Sequence, residues 1–158
     1  MLQLINASEH HSQQILHYFS ITCFWKEFVE NNKLNQSYSD FMLEWIILPR
    51  IPITKVLVKP SDPSIIYGCL IAATTDEFSK MPDYTPHLDS KVMEVFSNWF
   101  AYPISEGIIL ELYAIDNQFK KKGYGKLMLT EVDNIALHQS KDIISCFVWN
   151  CFHDSIIA

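Results

Sequence analysis

Gly107-Ile108-Ile109-Leu110-Glu111-Leu112-Tyr113-Ala114-Ile115 runs directly into Asp116-Asn117-Gln118-Phe119-Lys120-Lys121-Lys122-Gly123-Tyr124-Gly125-Lys126. The first stretch is the longest unbroken strand candidate in the chain, and residues 122 to 138 carry the apolar spacing of a long helix. Their junction holds two of the chain's four glycines, with four lysines within eleven residues. Glycine lets a backbone come close to a ligand, and the unbonded N–H groups that open a helix favour an anion, as does its positive dipole end. A phosphate or pyrophosphate fits there. A solvated lysine loop with a glycine turn fits the same residues equally well.

Two phosphate templates fail. A Walker A loop with its second glycine at Gly125 puts Lys120 where the first glycine belongs and Leu127 where the hydroxyl belongs. A dinucleotide fingerprint needs a small third residue where Met128 stands.

Outward from this junction the chain alternates strands and helices. Residues 2 to 6 form a strand, and Asn6 with Glu9 has the form of a capping box. The helix it opens aligns Ile15, Leu16, Phe19 and Cys23. A second helix begins near Ser39, buries Phe41, Met42, Trp45 and Leu48, and stops at Pro49. Residues 53 to 59 and 64 to 74 make a hairpin around Pro60-Ser61-Asp62-Pro63. Residues 75 to 88 are a surface loop, and residues 92 to 100 are an apolar helix that Pro103 ends. Asp142 to Trp149 is the last strand. The order describes an α/β, more strictly α+β, sheet protein. Its 158 residues suit one domain, with no repeat or linker.

Composition removes several classes of function. Hydrophobic residues are 49% of the chain and charged ones 19%, enough apolar surface for a full core. The net charge of −6 opposes coating nucleic acid or an anionic membrane. No apolar run reaches the roughly 20 residues of a spanning helix, and the start lacks a leader pattern, so a cytosolic place is expected. Cys23, Cys69, Cys146 and Cys151 have no zinc spacing and are expected as buried thiols. His10, His11 and His17 are expected on the surface with no metal. Trp25, Trp45, Trp99 and Trp149 belong to the core.

Lys120-Lys121-Lys122-Gly123-Tyr124-Gly125, preceded by Leu110 to Ile115, resembles the signature of the GNAT acyltransferase superfamily, Arg/Gln-x-x-Gly-x-Gly/Ala after the fourth strand. Lys120 departs from it, where Arg or Gln is usual. The resemblance implies a mixed, mostly antiparallel twisted sheet flanked by helices, and covers nearly the whole chain. It implies that the backbone of Tyr113, Ala114 and Ile115 pairs with the pantetheine arm of acetyl-CoA, where the strand end splays from its parallel neighbour. It also implies that pyrophosphate rests on the loop from Lys120 through Lys121, Lys122, Gly123, Tyr124 and Gly125 to Lys126. A primary amine of a small molecule or peptide would then attack the thioester directly, with an N–H near Ile115 facing the oxyanion.

Glu111 is the carboxylate placed to accept the amine's proton, since strand alternation puts it on one face with Tyr113 and Ile115. The family's leaving-group acid follows Asn-x-x-Ala-x-x-x-Tyr. With Asn150 as its Asn, Ile157 holds the Tyr position; with His153 there instead, the Tyr falls past Ala158. Neither register supplies an acid, and the last strands of the fold are expected to be missing. A homodimer covering the edge of the last strand, or else a poorly soluble monomer, follows as an expectation. The alternative function is a non-catalytic CoA-binding or protein-interaction module.

Overall fold

Runs of β-branched residues pair into a sheet, and the amphipathic stretches between them cover its two faces. The computed structural model describes residues 1–22, 29–30, 33–34, 36–84, 86 and 106–146. In chain order its elements are β1 (Gln3–Asn6), α1 (Ser12–Thr22), β2 (Val29–Glu30), β3 (Lys33–Leu34), α2 (Gln36–Phe41) and α3 (Leu48–Arg50). There follow β4 (Thr54–Lys59), β5 (Asp62–Thr74), α4 (Thr75–Ser79), β6 (Ile108–Ile115), α5 (Tyr124–His138) and β7 (Ile144–Cys146). The main sheet has the order β1-β4-β5-β6-β7, antiparallel throughout except for the parallel pair β6 and β7. β2 and β3 form a separate two-stranded ribbon. This is the mixed, mostly antiparallel α+β architecture expected from the sequence. The helix expected at 92 to 100, and residues 147 to 149 of the last expected strand, lie outside the described residues.

Two apolar layers hold the sheet. On one face Ile15 and Phe19 of α1 pack with Met42, Ile46 and Ile47 against Val56, Cys69, Ile71, Leu112 and Ala114. On the other, Met128, Val132 and Ala136 form a four-residue-spaced stripe of α5 against Leu57, Leu70, Ala72 and Ile108. Burying each Leu, Ile, Val or Met side chain in these layers is worth about 1.5 to 3 kcal/mol.

Several local expectations are corrected. The cap at the first helix is Ser8 rather than Asn6, with His11 in the role expected of an acidic partner: the Ser8 N–H donates to His11 Nδ1 at 3.1 Å. His11 is therefore buried, not on the surface, and its Nε2 donates to the Pro63 carbonyl at 2.9 Å. Both bonds fit only the neutral ring protonated at Nε2, and together they tie the start of α1 to the β4–β5 hairpin. His11→Ala should cost roughly 1 to 3 kcal/mol, because a buried N–H and a carbonyl lose their partner. Denaturant melts of the two proteins test this; an unchanged midpoint would contradict it.

The second helix begins at Gln36, not Ser39, and continues past Pro49 to Arg50. Residues 42 to 47 are wound as a π-helix just before Pro49, whose missing N–H cannot serve the turn below. The wider turn shifts the helix phase, and Leu48, expected in the core, is exposed. The hairpin turn is tighter than expected, with Lys59 opposite Asp62. Part of the 75 to 88 loop is helical: Thr74 and Glu77 close a capping box, the Glu77 N–H reaching Thr74 Oγ1 at 3.1 Å and the Thr74 N–H reaching Glu77 Oε2 at 2.9 Å. Thr74-x-x-Glu77 is a helix-start signature that the two prolines downstream obscured. Cys69 is buried as expected, but Cys146 is exposed; Cys23 and Cys151 lie outside the described residues. Trp45 is partly buried against the first layer, and Trp25, Trp99 and Trp149 are outside the described residues. None of the described helices is long and apolar enough to cross a membrane.

Candidate active site

β6 delivers the residues singled out in the sequence, but not with simple alternation. Ile71 of β5 lies opposite Leu112, while its neighbour Ala72 lies opposite Leu110, so Glu111 is an extra residue with no residue of β5 across from it. This is a β-bulge, and it reverses the facing of the strand. Before it, Ile108 and Leu110 pack on the α5 side; after it, Leu112 and Ala114 pack on the α1 side. Tyr113 and Ile115 consequently face α5. Glu111 points to the opposite face, toward Arg50, which corrects the expectation that the three residues share one.

Arg50 is the chain's single arginine, and 4% of it is exposed. Its Nε donates to Glu111 Oε2 at 2.6 Å and its Nη2 to Glu111 Oε1 at 2.9 Å, a two-pronged ion pair. Nη1 donates to the Ile46 carbonyl of the π-helix at 3.0 Å, and the guanidinium lies 5.7 Å from the Phe78 ring centre. Burial works against the guanidinium charge, yet the Glu111 charge and hydrogen bonds outweigh it and raise Arg50 above its ordinary value. Removing one partner would strand a buried charge at a cost of about 3 to 5 kcal/mol. Tyr84 is buried nearby, its hydroxyl pushed well above the usual tyrosine range chiefly by that burial; Arg50 opposes the shift and Glu111 adds to it.

Beyond Ile115 the chain makes a compact turn. Asp116 gives its N–H to the Tyr67 carbonyl at 2.9 Å and accepts the Gln118 N–H at 3.0 Å. Residues 117 to 119 form one 3-10 turn, and Lys121 then has a φ of 60°. Gly123 caps α5 in the left-handed region at φ 86°. The first bond into the helix runs from the Leu127 N–H to the Gly123 carbonyl at 3.2 Å. The N–H groups of Tyr124, Gly125 and Lys126 precede that bond and have no carbonyl one turn back to serve. Lys120, Lys121, Lys122 and Lys126 are all exposed around this end, and no carboxylate among the described residues pairs with them.

A Cβ on Gly125 would stand 2.5 Å from Tyr113 Oη, so this glycine lets the tyrosine lie against the first turn of α5. Burial raises the Tyr113 hydroxyl above its ordinary value, although 38% of the residue is exposed. Phe119 packs edge-on to Tyr67 at 5.0 Å and to Tyr124 at 5.9 Å, and Lys122 Nζ sits 5.2 Å from the Phe119 ring centre. The Leu2 N–H donates to Tyr124 Oη at 2.9 Å, anchoring the loop to the first strand.

The structure thus brings Tyr113, Ile115 and the loop 120 to 126 together on the α5 side of the strand end, with Ala114 beneath. Glu111 stands apart on the other face. Sequence reasoning missed Arg50 and Tyr84. Arg50 had a signal in being a lone arginine amid apolar residues, a place that requires a carboxylate partner. Pairing of β6 with β7 is described as far as Leu110 opposite Cys146; the expected splay beside Tyr113 to Ile115 involves residues outside the described ones. Two clefts of about 350 and 450 Å³ open between α5 and the β1–β4 edge, around the 3.2 Å Lys55–Glu131 ion pair. Neither touches Glu111 or the glycine loop. No group of His, Cys, Asp and Glu among the described residues could hold a metal.

No protein-family model and no curated protein matches the sequence. Solved structures do match over nearly all of it. A polyamine N-acetyltransferase from Drosophila melanogaster aligns at a TM-score of 0.64 with 8% identity, covering 99% of this chain and 80% of that one. A protein described as a transcriptional regulator from Bacillus halodurans aligns at 0.60 with 14% identity, over 99% and 88%. An aminoglycoside N-acetyltransferase solved in complex with CoA aligns at 0.55 with 11% identity, over 99% and 83%. The chain has the GNAT fold.

Proposed function

We propose that this chain is a cytosolic N-acyltransferase that takes an acetyl group from acetyl-CoA and gives it to a primary amine of a small molecule or protein. One observation carries the reading: a strand end, a left-handed glycine cap and a 15-residue helix meet under four exposed lysines, within the GNAT fold. The helix-start N–H groups and lysines suit the diphosphate of CoA, and the backbone of Tyr113, Ala114 and Ile115 suits its amide-bearing arm. Bound acetyl-CoA would supply an activated thioester. The amine nitrogen forms the new C–N bond as the C–S bond breaks; the ammonium gives up two protons, one before attack and one that ends on the departing thiolate. Glu111 receives the first, directly or through water, on the lone pairs that Arg50 leaves. The polyamine and aminoglycoside acceptors named for two structural neighbours support an amine acceptor, and an acidic chain favours a cationic one.

Free thiol release, followed with acetyl-CoA and a panel of polyamines, aminoglycosides, arylalkylamines and lysine peptides, tests the reading. Turnover with at least one amine is expected. A second reading, a CoA-binding or interaction module without turnover, is favoured by the engagement of both Glu111 oxygens by Arg50. Binding of CoA with no turnover across the panel would support it.

A homodimer is part of the proposal. β7 is at the edge of the sheet in the described strand order, with Ile143 and Ile144 exposed along it. An exposed apolar edge is normally covered, and a second copy of the chain is the cover proposed. Light scattering should give twice the chain mass; a soluble monomer at high concentration would remove this part of the account.

A further inference from the structure

The GNAT resemblance assigns no part to Arg50, yet its side chain is held on every side at the bulge of β6. It is the chain's one arginine, with both prongs on Glu111, a third N–H on the Ile46 carbonyl and the Phe78 ring against it. Its own carbonyl accepts the buried Thr54 hydroxyl at 2.7 Å. The π-helix, α4 and the bulge of β6 therefore converge on one guanidinium, and the start of β4 bonds the carbonyl of the same residue. Glu111 is the bulge residue with no residue of β5 opposite it, and among the described residues Arg50 is the side chain that fixes its direction. A lysine could match the charge but not the planar fork that holds two oxygens at once.

We propose that Arg50 is a positioning residue for acyl transfer, acting through Glu111 by holding its carboxylate in one orientation at the bulge of β6. This rests on the acyltransferase reading. The geometry leaves Glu111 only the lone pairs turned away from Arg50, with 13% of its side chain exposed, so the direction from which an amine can be met is set by the fork. Arg50 touches neither the glycine loop nor the strand end proposed to hold CoA, and its loss should act on turnover rather than on cofactor affinity.

The test measures kcat, amine KM and the CoA dissociation constant for the full chain, Arg50→Lys, Glu111→Gln and Arg50→Met/Glu111→Gln. Arg50→Lys is expected to lower kcat roughly tenfold or more with CoA affinity within about twofold. The double variant is expected to be no slower than Glu111→Gln alone, because both changes remove one unit. It leaves no buried charge, so it carries the comparison even if Arg50→Lys does not fold. Arg50→Lys with the kcat of the unaltered chain, losses that multiply in the double variant, or weakened CoA binding in parallel with kcat would each overturn the proposal while leaving the acyltransferase reading intact. An unaltered chain that binds no CoA, or turns over no amine, would overturn the acyltransferase reading and with it the step assigned to Arg50.

Discussion

Replacing Glu111 with Gln is expected to lower turnover roughly ten- to a thousandfold while CoA affinity barely changes. The amide keeps the shape and the hydrogen-bonding length of the carboxylate, so β6 retains its bulge, but it offers Arg50 one acceptor in place of two and cannot take a proton. Some loss of stability accompanies the change, since the 2.6 and 2.9 Å bonds from Arg50 are no longer both charge-assisted. Rate and melting temperature therefore have to be measured together. With the unaltered chain, the rate should rise with pH as the acceptor ammonium loses its own proton. A Gln variant that is folded and equally fast would remove Glu111 from the chemistry and leave it the role of anchoring the bulge.

The second large effect is on cofactor binding. Substituting valine at both Gly123 and Gly125 should weaken CoA binding at least tenfold, about 1.4 kcal/mol. The two positions act by different means. At Gly123 nothing lies within 4 Å of a built Cβ, so crowding is not the cause; the φ of 86° is a conformation that a β-branched residue strongly resists. At Gly125 the cause is contact, because a Cβ would meet Tyr113 Oη at 2.5 Å and push the ring over the helix start. Tyr113→Phe removes that oxygen and should restore part of the loss in a Gly125→Ala background. Unchanged CoA affinity in the folded double valine variant would contradict the assignment of the loop.

Much of the fold was legible because its signals were local. The β-branched runs, the Gly-Tyr-Gly break and the four-residue stripe of α5 each announce their element independently of the rest of the chain. What was not legible depended on partners far away in sequence. The run Ile108 to Ile115 is apolar on both faces, so nothing in its pattern betrays a phase reversal at Glu111, and the partner of the bulged side chain, residue 50, lies 61 positions away. The burial of His11 likewise depends on Pro63, 52 residues on. The π-winding before Pro49, by contrast, had a local cause, and its consequence for Leu48 could only be read once the phase was known.

Calorimetric titration of CoA into the full chain asks whether the junction of β6 and α5 is a CoA site. Saturable binding at one site per chain is expected, lost or at least tenfold weaker in the Gly123 and Gly125 double valine variant, and weakened by salt as the lysines are screened. No saturable heat from the folded chain at millimolar CoA, or binding that the double variant retains in full, would contradict it.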